Sequence, residues 1–548
     1  MVLSLLVSCR DNQSASVSDK PAAKTQVAKD PLLFPKDNFT VETMTIKTSA
    51  GEKKVAYHSY MHIPYVANPV DADYQSLNVS VPIEIDGVAV DATNAPILLA
   101  NGVGGYMSFN NKTGGFGMPA GFFPGMSAVD NGQQIGPPGG MPAAQGGERG
   151  NAQAPGGGMP PGSSMPEGTG RMSGPSDMNN AVTGKQDLAL AAGYVVVEPG
   201  CRGRDNQAED GTYYGKAPAA IVDLKAAVRY IRHNRGVIPG NVDWIVSSGC
   251  SAGGGLSSIL GASGNSPMYD PYLKELGAAY ADDSIYACAC FSPVTDLDHA
   301  DMGYEWLHGQ TSLASGELVD QTLSKKLIAL FADYQASLNL KGEGDFGTLT
   351  VDNYDEYLMQ QHLIPSATRY LKAMSEEERS LYLATTPWLT WNCGNAVFDF
   401  RDYIASTSRG KGLPAFDDFE MEMPEPLLFG DETADGRHFT DFALQQVTGD
   451  PNTRIDSDLQ KVVNMMNPMY FIGQGNPGCA KHWWIRAGST ESGLAVIFGN
   501  LSASLENLGK VVNASLYWEA GHCVDDNPES FIIWIGDITG YTLKAGTK

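Results

Sequence analysis

The chain has 548 residues, 42% of them hydrophobic and 18% charged, enough for a sizeable core with room for a large insertion. A formal net charge of −25 argues against nucleic acid or an anionic membrane surface as partner. No apolar run reaches the length of a membrane-spanning helix.

The chain opens "MVLSLLVSCRDNQSAS", a short apolar run that ends at Cys9 and turns polar. This resembles the tail of a bacterial lipoprotein signal without its basic start, with Cys9 as the lipidated residue. Residues 1–35 are therefore expected to be a truncated signal and tether. The protein is expected to be secreted, periplasmic or anchored by lipid at the cell envelope.

Short apolar runs then recur. "APILLA" (95–100), "YVVVE" (194–198), "VDWIVSS" (242–248), "IYACACFS" (285–292), "WWIRAG" (483–488) and "ASLYWEA" (514–520) predict buried strands. Between them, Ile221, Leu224, Val228 and Ile231 repeat at helical spacing. Strand–helix alternation predicts an α/β fold, a mostly parallel sheet flanked by helices.

Two stretches interrupt the alternation. Residues 108–182 are dominated by Gly, Pro, Met and Gln, with no period, and cannot bury enough surface to offset their ordering entropy. Residues 300–466 mix helical patterns with acidic irregular segments. An inserted lid domain is expected there, between core parts 36–299 and 467–548.

Of eight cysteines, Cys288 and Cys290 lie two apart in one strand and are expected to share a face as core thiols. Cys479 and His482 form a lone C-x-x-H with no second pair, which does not make a metal site. No metal or cofactor is implied.

The chemistry starts at "VSSGCSAGGGLSS" (246–258), a G-x-S-x-G between a predicted strand and a small-residue helix start. That context turns a serine out of the sheet as a nucleophile, here Ser251. A serine hydroxyl needs a base, expected last in chain order, and His522 in "LYWEAGHCVDD" fits; His482 and His438 are the runners-up. The acid should follow the preceding strand, which offers Glu491, with Asp525 and Asp526 as alternatives. An oxyanion hole needs two backbone N–H groups, expected from Ala252 and from Gly104 in "PILLANGVGGYM".

Cys250 precedes the serine and Cys523 follows the histidine. If Ser251 and His522 meet, these cysteines come together, and a disulfide there would hold base and nucleophile in register.

"PILLANGVGGYM", "AAGYVVVEPGCRGR", "GKAPAAIVDLKAAVRYIRHN", "SSGCSAGGGLSSILGASGNSPMYDPYL" and "SPVTDLDHADMGYEW" closely resemble bacterial tannases and tannase-like esterases. The likeness covers most of 90–310 and 400–525. It implies an α/β-hydrolase fold with a lid. The flanking cysteines resemble those of fungal tannases and feruloyl esterases, where they are bridged.

The resemblance also implies that Lys411 and Glu425, in "GKGLPAFDDFEMEMPEPLLFG", contact the hydroxyls of a galloyl group. The family's acid segment reads Arg-His-Gly then Asp-Arg-Asp. Here it is Arg486-Ala487-Gly488 then Glu491-Ser492-Gly493, so the second Asp has no counterpart. The expectation is a serine esterase acting on a small-molecule phenolic ester, galloyl first and feruloyl or another hydroxycinnamoyl second. A peptidase and a non-catalytic binding protein share the fold and are the other readings.

Overall fold

The computed structural model describes residues 30–110 and 184–543, apart from 408 and 492. Cys9 and nearly all of the 108–182 stretch lie outside the described residues.

The strands are β1 (Thr40–Thr48), β2 (Gly51–Pro64), β3 (Ser76–Ile85), β4 (Val88–Ala89), β5 (Ile97–Asn101), β6 (Val195–Pro199), β7 (Ile245–Cys250), β8 (Ala287–Phe291), β9 (Thr390–Asn392), β10 (Asn395–Val397), β11 (His482–Gly488) and β12 (Val511–Tyr517). Ten form one sheet in the order β1-β2-β3-β6-β5-β7-β8-β11-β12, with β4 on β3; β9 and β10 pair separately. From β6 to β12 every pairing is parallel. From β1 to β6 the pairings are antiparallel, so the sheet is mixed.

Strands β5, β6, β7, β8 and β11 are dry on both faces because they alternate between two cores, whereas β12, at the edge, is half-exposed. Ile97, Leu99, Val195, Val197, Ile245, Cys288, Cys290, Trp483 and Ile485 pack on one side with helices Ala219–His233 and Ala252–Ala262. Leu98, Ala100, Val196, Val246, Ala287, Ala289 and Trp484 pack on the other with helix Pro528–Thr539. Such two-sided burial is why these strands read as continuous apolar runs. Cys288 and Cys290 do share a face, with their Sγ atoms 3.2 Å apart.

Between β8 and β11 lies a largely helical block pinned by buried charge. The Arg409 guanidinium pairs with the Glu305 carboxylate, both side chains fully buried on helix Leu297–His308 and the loop beyond helix Phe400–Ser406. Arg409 also donates to the carbonyls of His308 (3.1 Å), Lys411 (2.9 Å) and Gly412 (2.7 Å), which fixes the 409–412 loop. Asp301 accepts the backbone N–H groups of Ala415, Phe416 and Asp417. Asp417 in turn accepts from Phe439, Thr440 and the His438 ring.

Breaking one partner of a buried ion pair strands the other charge, which costs roughly 3–5 kcal/mol. Glu305→Ala should lower the urea midpoint of unfolding accordingly. A paired apolar replacement of Glu305 and Arg409 should recover most of the loss. An unchanged midpoint for the single variant would contradict this account of how the block is held.

Candidate active site

The parallel register determines what meets at the carboxyl end of the sheet. Asn101 is level with Gly249, Cys250 with Phe291, Phe291 with Arg486, and Gly488 with Tyr517. The loops leaving β5, β7, β8, β11 and β12 therefore start side by side, where ligands bind in open α/β sheets.

Ser251 occupies the turn between β7 and helix Ala252–Ala262 with φ 58° and ψ −126°, a conformation L-residues rarely adopt. The turn needs both motif glycines. A Cβ on Gly249 would sit 2.3 Å from the Gly253 carbonyl oxygen, and one on Gly253 would sit 2.7 Å from that of Val103. Hydrogen bonds to β8 and its exit loop hold the turn: Ser251 N–H to Phe291 O, and Val294 N–H to Ser251 O, each 3.0 Å.

His522 follows β12. Its Nε2 lies 2.8 Å from Ser251 Oγ, and its Nδ1 lies 3.0 Å from Glu491 Oε2 and 3.2 Å from Oε1. Serine, histidine and glutamate thus form one hydrogen-bonded line. Burial pushes the Glu491 carboxyl up, but the charge and hydrogen bond of His522, with help from Ser292 and the Gly488 backbone, hold it below its ordinary value. Burial pushes the His522 imidazole down, yet the Glu491 carboxylate outweighs this and the net shift is upward.

Cys250 and Cys523 are disulfide-bonded, with Cα atoms 5.9 Å apart. The histidine loop has further ties. Thr490 Oγ1 donates to Ala520 O (2.8 Å), and Glu519 N–H donates to Ser489 Oγ (2.9 Å). Asp525, an alternative acid, is buried against Lys185 (2.9 Å) and accepts from the Tyr517 hydroxyl, so it holds the far side of the loop. Of the alternative bases, His438 is bonded to Asp417, and His482 is buried at the start of β11 against Tyr286. The Lys185–Asp525 pair escaped the sequence reading because its members lie 340 positions apart with no motif around either.

The loop after β5 lies against the nucleophile helix. Asn101 Nδ2 donates to Gly253 O (3.0 Å), and Asn101 Oδ1 accepts from Val103 N–H (3.2 Å). With Val103 N–H so occupied, Gly104 is the next backbone donor along the loop. Ala252, as the first residue of its helix, has no intrahelical acceptor for its N–H.

Lys411 and Glu425 come to the same region. Lys411 Nζ sits 3.7 Å above the Phe416 ring and 3.3 Å from Ala415 O. Burial lowers its pKa against the attraction of Glu425, Asp301 and Glu491, and its charge is felt by His522. Glu425 is buried, its carboxyl pushed up by that burial, and its Oε2 has no hydrogen-bond partner among the described residues. A buried acceptor without a donor is costly unless something supplies one.

Among the described residues, Asp296, Asp298 and His299 form the one group close enough to hold a metal ion. Their atoms are already engaged: Asn467 Nδ2 donates to both aspartates at 2.8 Å, Tyr334 donates to Asp296, and the His299 ring faces Asp296. This is a satisfied network that ties helix Leu297–His308 to its neighbours.

The disulfide closes a loop of 273 residues between β7 and β12. In the chain-entropy model such a crosslink contributes up to about 5 kcal/mol. Reduction should therefore lower the thermal midpoint by several degrees, measured with and without dithiothreitol. An equal midpoint in both would contradict a stabilising clip.

A family model described as BD-FAE matches residues 167–332. A curated relative, esterase LipQ of Mycobacterium tuberculosis, is 34% identical over 90 residues; the aligned part is 16% of this chain and 20% of that esterase's length. Among solved structures, Lactobacillus plantarum tannase is 28% identical with a TM-score of 0.72, over 93% of this chain and 100% of that one. Fusobacterium nucleatum tannase is 31% identical with a TM-score of 0.70, over 93% of this chain and 99% of that one. At that identity and coverage, sharing the α/β-hydrolase architecture described above, the chain belongs to the tannase family.

Proposed function

We propose that this protein is a serine esterase that hydrolyses phenolic carboxylic esters, with galloyl esters as the first substrate class. The observation that carries the reading is the unbroken line from Ser251 Oγ through His522 to Glu491 beside Lys411 and Glu425. His522 Nε2 takes the Ser251 proton as Oγ attacks the ester carbonyl. Glu491 orients the ring and stabilises the imidazolium. The N–H groups of Ala252 and Gly104 receive the oxyanion. His522 then protonates the leaving alcohol, and a water attacking the acyl-serine completes the cycle.

The acyl ring is read by complementary chemistry. The Lys411 ammonium donates to a phenolic oxygen, and Glu425 accepts from a phenolic O–H. The unpartnered Oε2 of Glu425 supports this role. Tannin acyl hydrolase, similar to this chain, has been captured with 3,4-dihydroxybenzoate and with ethyl gallate.

Gly493 offers no third polar contact and abuts Ile497, 3.0 Å from where a Cβ would lie. This favours hydroxycinnamoyl esters, with fewer ring hydroxyls, as the second reading. The disulfide supports an exported protein. A lipid anchor at Cys9 rests on the signal-like sequence alone.

A hydrolysis panel of methyl gallate, methyl ferulate and a simple alkyl acetate tests the substrate class. Methyl gallate or methyl ferulate should be preferred, and Ser251→Ala should abolish turnover while remaining folded. Lys411→Ala should cost about 1–3 kcal/mol on methyl gallate and little on the acetate. Equal losses on both would remove Lys411 from recognition.

The base must be neutral to accept a proton. Because the Glu491 carboxylate raises the His522 pKa, the acidic limb of kcat/KM should lie above the ordinary imidazole value of 6.5. Glu491→Gln should move that limb to lower pH and reduce the plateau. A limb that stays put in the variant would refute the pairing.

A further inference from the structure

Ser292 is the first residue after β8, between the nucleophile turn and the acid loop. It is buried, yet its backbone lies at φ 44°, in the left-handed region that favours glycine. A glycine would relieve the backbone there, so retaining serine points to its hydroxyl. The Ser292 N–H donates to Arg486 O at 2.6 Å, which fixes the residue against β11. Its Oγ accepts the Cys523 N–H at 3.0 Å. Ser292 thus joins two elements, through its N–H to β11, the strand that leads into Glu491, and through its Oγ to the backbone beside His522.

We propose that Ser292 is a positioning residue for the ester-hydrolysing site: its hydroxyl ties the backbone beside His522 to a residue bonded to β11, the strand that leads into Glu491, holding acid and base in mutual register. The proposal rests on the triad reading above. The disulfide ties the same loop to the nucleophile side; Ser292 ties it to the acid side. Its Oγ receives a hydrogen bond from the residue next to His522, and its N–H gives one to β11. The residue is buried behind the acid and the base, so its effect belongs on kcat.

The test compares Ser292→Gly and Ser292→Ala with the parent enzyme on p-nitrophenyl acetate, which needs the triad but not the phenol contacts. Glycine removes the hydroxyl while suiting the backbone, and alanine removes it at the same backbone cost. Both should lower kcat at least tenfold with KM within twofold. The glycine variant should keep the parent's thermal midpoint. Parent-like kcat in Ser292→Gly would overturn the proposal, as would a fall in kcat that tracks a fall in thermal midpoint across the two variants. Ser251→Ala runs alongside. If it still turns over, the triad reading falls and takes this proposal with it. If it is inactive while Ser292→Gly matches the parent, only the positioning role falls.

Discussion

Four parallel strands, β7, β8, β11 and β12, run in one register, β7 ending level with β8 and β11 level with β12 two residues further on, and every feature of the site depends on that register. A strand offset of one residue would turn each terminal side chain to the opposite face. Here the register brings Ser251, Ser292, Glu491 and His522 to one edge from positions spread over 271 residues. The register is in turn set by burial. Successive residues of β7, β8 and β11 belong alternately to two separate cores, so a slipped strand would misplace its whole apolar set.

Strand register brings the loops together but does not hold them there. The histidine loop is irregular, and no residue from Gly521 to Asn527 is fully buried. Short-range ties compensate: a disulfide to the nucleophile turn, a hydrogen bond to Ser292, a bond from Thr490, and the buried Lys185–Asp525 pair. Together they act at Ala520, Cys523 and Asp525. A hydroxyl and an imidazole must stay within hydrogen-bond reach for proton transfer, so such redundancy has direct chemical consequence. The Lys411 side of the site is built differently. There the Arg409–Glu305 pair and the Asp301 carboxylate fix backbone, and the position of Lys411 follows from it.

The parallel strands were legible because two-sided burial leaves near-continuous apolar runs, and helix Ala219–His233 because its larger apolar residues recur at helical spacing even though most of it is buried. The antiparallel arm β1–β3 was not. β1 reads TVETMTIKT and is exposed along most of its length, so its polar residues mask the strand. Ser251 was legible from its glycines, because close packing of backbone on backbone leaves no room for a side chain. His522 and Glu491 could be nominated from chain order and strand position, and the structure brings both within hydrogen-bond distance of their partners. The cysteine pair was readable only through those two residues. Ser292 and the Lys185–Asp525 pair carried no local pattern. A serine after a strand is common, and a charge pair distant in sequence becomes visible only when the sheet closes.

The central claim is that Ser251 is an activated nucleophile because His522 and Glu491 are aligned behind it. The most direct measurement is reaction with a fluorophosphonate probe followed by peptide mapping, in the parent protein and in His522→Ala. The account requires one adduct, on Ser251, formed rapidly in the parent and lost in the histidine variant. No adduct, an adduct on another residue, or equal labelling of Ser251 without the histidine would contradict it.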